Sequence, residues 1–464
     1  MLRKLRWLVL AFGVLGVIGP GTASADHRFD EHSENMQALG ESLRSGSFTD
    51  PIGWDTRNTD LAFWGDRVIQ GRYDGFRIID IAGVRAPSWG GVGNPKEVAF
   101  FPCVSPQGDV GVWGDLVFRS VDSGTRTDQC QPFLDQQTPG FEGIQIFDIS
   151  DVNNIQQIAS VPLDCGSHTH TVVPDLENNR VLLYNSNSGS SNIAPSAYGN
   201  RCTADHGRFD IVEVPLDNPS AAHVIGAGML GTALDGRVIR ACHDIGVILG
   251  DVNRAACAGN PLTVVFDISD PANPVRLFDL TSPTVTSFHA STFTWDGKYL
   301  VLGWEPGGGP RPRCQETGAV DEGVVVTDEM KTIFFHDATT GELVGRWVLP
   351  RPQSAFENCT IHNFNVLPIR GRYVLVHGSY QSGTSMVDFT DPTNAYEVAF
   401  SDPAPLEPGV LSRGGVWTST FYNGLIYESD TRRGLRIYRV RAREAAGALR
   451  LPHLNPATSE FSLP

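Results

Sequence analysis

The stretch DLAFWGDRVIQGRYDGFRIIDIA, residues 60–82, decides the fold. It contains three short apolar segments, separated by the turn dipeptides Gly65-Asp66 and Asp74-Gly75. Apolar segments of this length, divided by Gly and Asp, are typical of antiparallel β-strands joined by tight turns. The stretch therefore predicts one antiparallel β unit.

The same unit recurs along the chain. Its third segment returns as GIQIFDIS at residues 143–150 and as TVVFDISDPANP at 263–274, and an Asp-Pro or Asn-Pro turn leads to a fourth strand, as at Pro274–Leu280. Repeats of about 45–60 residues with four strands are typical of propeller blades. Closure into a ring would also remove the exposed sheet edges. We predict an all-β fold, a seven-bladed β-propeller of four-stranded blades, over residues 53–445.

Two flanking segments lie outside the repeats, an N-terminal segment at residues 26–52 and a C-terminal tail at residues 446–464. Helical periodicity is found only at Glu34–Leu43 and Arg441–Leu449. We expect either the N-terminal segment or the tail to complete the ring.

The first 25 residues have the form of a signal peptide. Arg3, Lys4 and Arg6 precede an apolar run at residues 7–18, and Ala23-Ser24-Ala25 matches a signal-peptidase site. The run is shorter than the roughly 20 apolar residues needed to cross a bilayer. No later stretch is long and apolar enough to do so. We predict a secreted or otherwise extracytoplasmic chain with no transmembrane segment after cleavage.

The charge and the cysteines fit this location. The formal net charge is −16, which repels phosphate backbones and argues against a nucleic-acid partner. The eight cysteines favour a disulfide framework in an exported chain. Pairing in sequence order would keep the first three bridges within one repeat each and place the fourth across two repeats.

Several segments resemble a known family. GFRIIDIA, GIQIFDIS and TVVFDISDPANP are similar to the LVIVD-repeat family of exported β-propellers, and the resemblance covers nearly the whole chain after the leader. GSHTHTVVPD, FHASTFTWDGK and IHNFNV resemble the larger, histidine-containing members. Membership of this family implies a propeller outside the cytoplasm. It does not imply a particular biochemical activity. The seventh unit departs from the pattern, with Arg439 where Asp is expected.

Four histidines share one position in successive repeats. Aligned on the Trp, Pro or Leu that ends the first strand, His168, His243, His289 and His362 each stand six residues earlier. The first strand of each blade is expected beside the propeller axis, so these rings should converge at one mouth of the channel. Clustered imidazoles favour neutral forms, which bind metals. A structural ring of hydrogen bonds is the competing interpretation.

Positions four residues before the same Trp, Pro or Leu share that face, because side chains alternate along a strand. They include Asp60, Asp109 and His170, the candidate catalytic groups, with His170 expected deeper in the channel as a proton carrier. Asp244 is predicted to point to the opposite face. Glu305 is predicted either to support a metal ligand or to cap a turn.

These residues suggest an oxidoreductase-like, metal-dependent enzyme with a mononuclear iron, copper or zinc centre and a small-molecule substrate. Carotenoid-cleaving oxygenases are similar in holding iron with four histidines at a propeller axis. The alternative is a non-catalytic module that binds a protein or glycan as a surface ligand. A calcium-dependent propeller would need more axial carboxylates than Asp60 and Asp109.

Overall fold

The computed structural model describes residues 30–43, 56–85, 95–122, 126–131, 140–187, 202, 206–233 and 236–463. The predicted signal peptide and much of the segment at residues 26–52 lie outside these ranges. No helix among the described residues is long and apolar enough to cross a membrane.

Seven antiparallel sheets, here called blades 1–7 in chain order, form a closed ring, so the all-β, seven-bladed prediction is confirmed. The strands of blades 1–3, from the axis outward, are Asn58–Trp64, Arg67–Arg72, Gly75–Asp80 and Lys96–Pro102; Val110–Trp113, Leu116–Val121, Gly143–Asp148 and Gln156–Pro162; and Thr169–Asp175, Arg180–Ser186, Arg208–Pro215 and His223–Met229.

Blades 4–7 follow the same order. Their strands are Ala241–Ile248, Arg254–Asn260, Thr263–Asp267 and Val275–Leu280; Ala290–Phe293, Tyr299–Gly303, Thr332–Asp337 and Leu343–Val348; Phe364–Val366, Val374–Gly378, Thr384–Asp388 and Tyr396–Asp402; and Val416–Tyr422, Leu425–Asp430, Gly434–Val440 and Met36–Ser42. A small hairpin, Val320–Asp321 with Val324–Val325, extends from blade 5, and Glu31–His32 adds a short outer strand to blade 6.

The outermost strand of blade 7 comes from the N-terminus. Met36–Ser42 pairs antiparallel with Gly434–Val440, although the local sequence has helical periodicity. The edge of blade 7 offers backbone partners that a short isolated helix lacks, and this tertiary pairing outweighs local preference. The described helices are short: one α-helical turn, Ala82–Arg85, and 3₁₀ turns at Leu176–Asn178, Pro219–Ala221, Asp328–Lys331, Pro392–Asn394 and Arg443–Ala445.

The C-terminal tail runs along one end of the axial channel. His453–Leu454 pairs with the inner strand of blade 1, and Thr458–Ser459 pairs with that of blade 4. Between them, the Asn455 side chain bonds both backbone groups of Val112 in blade 2, at 2.9 and 3.0 Å. The tail thus joins blades that are far apart in sequence and covers this end of the channel.

The apolar core lies between neighbouring blades. Each interface is filled by alternate strand residues from two facing sheets, as with Phe118 and Val172 between blades 2 and 3. Because side chains alternate with period two, one face of each blade packs against the preceding blade and the other against the following one. This packing holds the inner strands in fixed register around the axis.

Four disulfides follow the predicted sequence order: Cys103–Cys130, Cys165–Cys202, Cys242–Cys257 and Cys314–Cys359. The expectation that the first three remain within one repeat is wrong for two of them. Cys103 and Cys165 each follow the outermost strand of one blade and bond a cysteine between the second and third strands of the next. The chain returns to the axis at these points, which brings it beside the following blade.

Candidate metal centre

The four histidines that share one repeat position, His168, His243, His289 and His362, come together at one end of the channel. Successive ring centres lie 4.4 Å apart for His168 and His243, 3.9 Å for His243 and His289, and 4.4 Å for His289 and His362. All four line one cavity of about 270 Å³. Two imidazoles at a right angle on one metal, with nitrogens about 2.1 Å away, would have ring centres roughly 4.5 Å apart. The observed spacing is therefore compatible with a shared metal ion.

Oxygen atoms face the Nδ1 atom of each ring. His168 Nδ1 donates to Asp122 Oδ2 at 3.3 Å, and His362 Nδ1 donates to the Trp417 carbonyl at 2.5 Å. The Nδ1 atoms of His243 and His289 lie 3.5 and 3.9 Å from the Asp244 carboxylate, beyond good hydrogen-bond geometry. An acceptor at Nδ1 leaves the Nε2 lone pair for a metal, the arrangement usual for metal-binding histidines.

Asp244 lines the same cavity, so the prediction that it faces away is wrong. The pairing of the inner strand of blade 4 shifts register between Cys242 and Asp244. Such a bulge sets two residues opposite one and interrupts the alternation of faces. His243 and Asp244 therefore both point toward the axis.

Glu305, which follows the second strand of blade 5, also reaches the centre. Its carboxylate oxygens lie 3.7 Å from His289 Nε2 and 3.7 Å from His362 Nε2. The Tyr380 hydroxyl donates to Glu305 Oε1 at 2.6 Å, which fixes the orientation of the carboxylate. Glu305 therefore contacts the nitrogens that would bind a metal.

Burial determines most of the protonation states. It lowers the pKa of His289 well below the ordinary value, with His243 adding to the effect, and it lowers the pKa of His362 to about 4. Burial also lowers the pKa of His243. Burial opposes protonation of His168 too, but the Asp122 carboxylate outweighs it and raises that pKa. Three of the four rings are thus held neutral, as metal ligands must be.

The pKa values of the carboxyl groups at the site are shifted in both directions. Burial raises the pKa of Asp60 and of Glu305, each to about 7. For Asp244, burial favours the neutral acid, but the neighbouring His243 reverses the effect and lowers the pKa.

Among the residues that the structure describes, two groups of three side chains have ligand atoms close enough to hold one metal ion. They are His243, Asp244 and His289, and His289, Glu305 and His362, with the ligand atoms of each group within 4.8 Å of one another. His289 belongs to both groups and His168 to neither. Each group has two imidazoles and one carboxylate.

A second cavity of about 80 Å³ lies next along the channel, toward the C-terminal tail. Its lining includes the equivalent position of all seven blades, four residues before the aligned Trp, Pro or Leu in blades 1–6 and before Tyr422 in blade 7: Asp60, Asp109, His170, Ile245, Ser291, Phe364 and Thr418. Of the three candidate catalytic residues, Asp60 lines both cavities, whereas Asp109 and His170 line only this one. His170 Nδ1 bonds the Ser120 hydroxyl at 2.8 Å, and burial lowers its pKa to about 3.

Several residues near the histidines were not identified from the sequence, among them Asp122 and Trp417. Asp122 follows the second strand of blade 2 and carries no repeat signal. In blade 7, Val416 has the position that the histidines have in blades 3–6. Trp417 enters the cavity instead, because the strand pairing shifts register between Val416 and Thr418. The Gly414-Gly415 pair just before Trp417 was the available sign of irregular backbone there.

Comparisons with known proteins identify no family for this chain. No family model matches the chain, and no curated protein is similar to it at the level of sequence. Among solved structures, the computationally designed Ika8 protein is similar with a TM-score of 0.44 and 11% identity, covering 87% of this chain and 98% of that one. The LVIVD-repeat resemblance therefore depends on the motifs alone.

Proposed function

We propose that this chain is an exported, metal-dependent enzyme of oxidoreductase type, with a mononuclear centre bound by His168, His243, His289 and His362. One observation carries the proposal: four successive blades contribute imidazoles to one cavity, with an oxygen at each Nδ1. A purely structural ring of histidines has no need of this common orientation. The leader sequence supports export, and the repeat motifs support kinship with the LVIVD-repeat propellers.

The donor atoms favour a transition metal. Imidazole with carboxylate suits iron, zinc or copper, and two histidines with one carboxylate are typical of non-haem iron(II) centres. Calcium prefers ligand sets made of oxygen alone. Glu305 is the carboxylate beside the Nε2 atoms of His289 and His362, whereas Asp244 lies behind the Nδ1 atoms of His243 and His289. The set of Glu305, His289 and His362 has two nitrogens and one carboxylate. We therefore place iron first, with zinc and copper as alternatives.

Asp60 is the candidate acid–base group of this enzyme. It lines the metal cavity, where it accepts hydrogen bonds from Trp417 Nε1 and Asn363 Nδ2, both at 2.9 Å. A carboxyl group held in this way can exchange a proton with a bound substrate. Asp109 and His170 line only the second cavity, so they would affect a substrate in the metal cavity only indirectly.

Metal analysis of the purified, exported protein tests the proposal. We expect a single equivalent of metal per chain in the wild type and almost none in His289→Ala, since His289 belongs to both candidate groups. The control is His223→Ala, which removes an exposed histidine far from the axis and should leave the metal content unchanged. A wild-type protein that takes up no transition metal on reconstitution would refute the metal centre and favour the non-catalytic binding module.

A further inference from the structure

An aromatic wall stands beside the histidines. It consists of Tyr73, Tyr380 and Trp417, which all line the metal cavity. The Trp417 ring centre lies 6.4 Å from that of Tyr73 and 6.3 Å from that of Tyr380, and both Trp417 and Tyr380 lie 4.7 Å from His362. The wall therefore extends from Tyr73 to a proposed metal ligand, His362.

The polar atoms of two wall residues are already engaged. Trp417 Nε1 donates to Asp60, and the Tyr380 hydroxyl donates to Glu305. What these side chains offer to a ligand is ring surface, which favours a flat, apolar partner in stacked or edge-to-face contact.

Two arginines stand at the same cavity. Arg57 places its guanidinium 5.6 Å from the Tyr73 ring centre, and Arg413 is exposed. The loop that carries Arg413 is held against the wall, because Tyr380 and Val416 exchange backbone hydrogen bonds of 2.9 and 2.8 Å. Gly415 has a φ of +88°, and a Cβ there would lie 2.2 Å from the Tyr380 backbone. The close approach thus requires glycine and fixes the loop beside the aromatic rings.

The cavity contains charged groups of both signs. Asp60 and Glu305 accept hydrogen bonds from the wall residues Trp417 and Tyr380. Arg57 and Arg413 lie beside the same wall and are its cationic groups. Guanidinium groups bind carboxylates strongly, because the planar fork of donors matches the two oxygens.

We propose that the cavity takes a small aromatic carboxylate, a proposal that rests on the metal-dependent function above. The acid group binds Arg57 and Arg413, the ring lies against Tyr73, Trp417 and Tyr380, and the opposite end points toward the histidines. A cavity of about 270 Å³ is small for a ligand pocket and suits a single ring with short substituents.

Calorimetric binding of benzoate to the full chain, with and without reconstituted metal, tests this assignment. Benzamide, which has the same shape without the charge, and cyclohexanecarboxylate, which has the charge without the aromatic ring, are the comparison probes. We expect benzamide to bind at least about tenfold more weakly than benzoate, since loss of one charge-assisted contact has roughly this effect. Cyclohexanecarboxylate keeps the charge but loses the aromatic contacts, so it should bind roughly two- to tenfold more weakly than benzoate. Arg57→Gln and Arg413→Gln should each weaken benzoate by about the same factor.

The matched control is Arg346→Gln, which removes an exposed arginine on the outermost strand of blade 5. It should bind benzoate like the wild type, and all three variants should retain their metal. Equal affinity for benzoate and benzamide, or unchanged benzoate affinity in both cavity variants, would overturn the assignment. Benzoate binding that depends on Arg57 and Arg413 in a protein that takes up no metal would support this inference and refute only the metal centre.

Discussion

At the residue scale, Asp244 connects two of the proposed ligands. Its two carboxylate oxygens lie 3.5 Å from His243 Nδ1 and 3.9 Å from His289 Nδ1. A carboxylate behind a metal-binding imidazole fixes the tautomer and makes the other nitrogen more basic. Neither Nδ1 atom has a hydrogen bond in good geometry, so small movements on metal binding would shorten both contacts.

Asp244→Asn should therefore lower metal affinity without removing a histidine. The amide keeps the size of the side chain but loses the charge, and such changes typically cost 10- to 100-fold in affinity. Competition with a chelator of known affinity measures the change. Asp267→Asn, in the third strand of the same blade and facing a turn, is the control; equal affinities for the two variants would contradict a role for Asp244 in orienting the histidines.

His377 is a second informative residue, and it lies outside the candidate site. It is fully buried in blade 6, and burial lowers its pKa to about 3. In the unfolded chain it titrates near 6.5, so its neutral form contributes stability above that pH, and the contribution is lost as pH falls toward the folded pKa. Between pH 7 and pH 5 this loss amounts to about 2 kcal/mol.

His377→Gln should accordingly lose about 2 kcal/mol less than the wild type over the same pH interval. Urea unfolding at the two pH values measures the difference. His223→Gln, at an exposed position, should follow the wild type. An unaltered pH dependence in His377→Gln would show that the buried ring is not the group that takes up the proton.

At the scale of elements, the inner strands of blades 4 and 5 approach closely because of Gly246. A Cβ at this position would lie 2.5 Å from the Ser291 carbonyl oxygen, and the Gly246 amide donates to the Ser291 hydroxyl at 2.9 Å. His243 lies in the first of these strands and His289 immediately precedes the second, and their rings are the closest pair in the cluster at 3.9 Å. The distance between these two strands thus sets the distance between the rings.

Gly246→Ala should separate the two strands. Overpacking of this kind typically destabilises a fold by about 1–3 kcal/mol, and metal affinity should fall with it. Gly83→Ala is the control, because a Cβ there meets nothing within 4 Å. Thermal unfolding and metal titration of both variants test the idea, which fails if Gly246→Ala matches Gly83→Ala in both measurements.

At the scale of the whole molecule, both chain ends fasten the ring. The N-terminal strand Met36–Ser42 completes blade 7, and the tail connects the inner strands of blades 1, 2 and 4. The tail also lines the second cavity through Asn455, Pro456 and Ala457. Among the described residues, the tail covers one end of the channel, and Arg57 and Arg413 lie at the other. A ligand would therefore enter the metal cavity from the end with Arg57 and Arg413.

Asn455→Ala tests the contribution of the tail to ring closure. It removes two hydrogen bonds and leaves both backbone groups of Val112 without these partners, which should cost about 1–3 kcal/mol. Denaturant unfolding gives the free energy, and limited proteolysis reports whether the tail has detached. A variant as stable as the wild type, with an equally protected tail, would show that the remaining contacts suffice.

Strand alternation, turn residues and repeat spacing are local properties, and the sequence by itself determined what depends on them. These are the all-β propeller, its seven blades and the shared position of His168, His243, His289 and His362. Symmetry converts an equivalent position in successive blades into convergence at one axis. For this reason the histidine cluster was predictable from register alone.

Tertiary structure alone decided the rest, since it depends on partners distant in sequence or on broken alternation. Bulges turned Asp244 and Trp417 toward the axis, against a period of two. Glu305 and Arg413 reach the cavity from loops, where no periodicity predicts direction. Met36–Ser42 became a strand because blade 7, almost four hundred residues later in the chain, offered it an edge to pair with. Local pattern specifies the blades, whereas contacts between them shape the site.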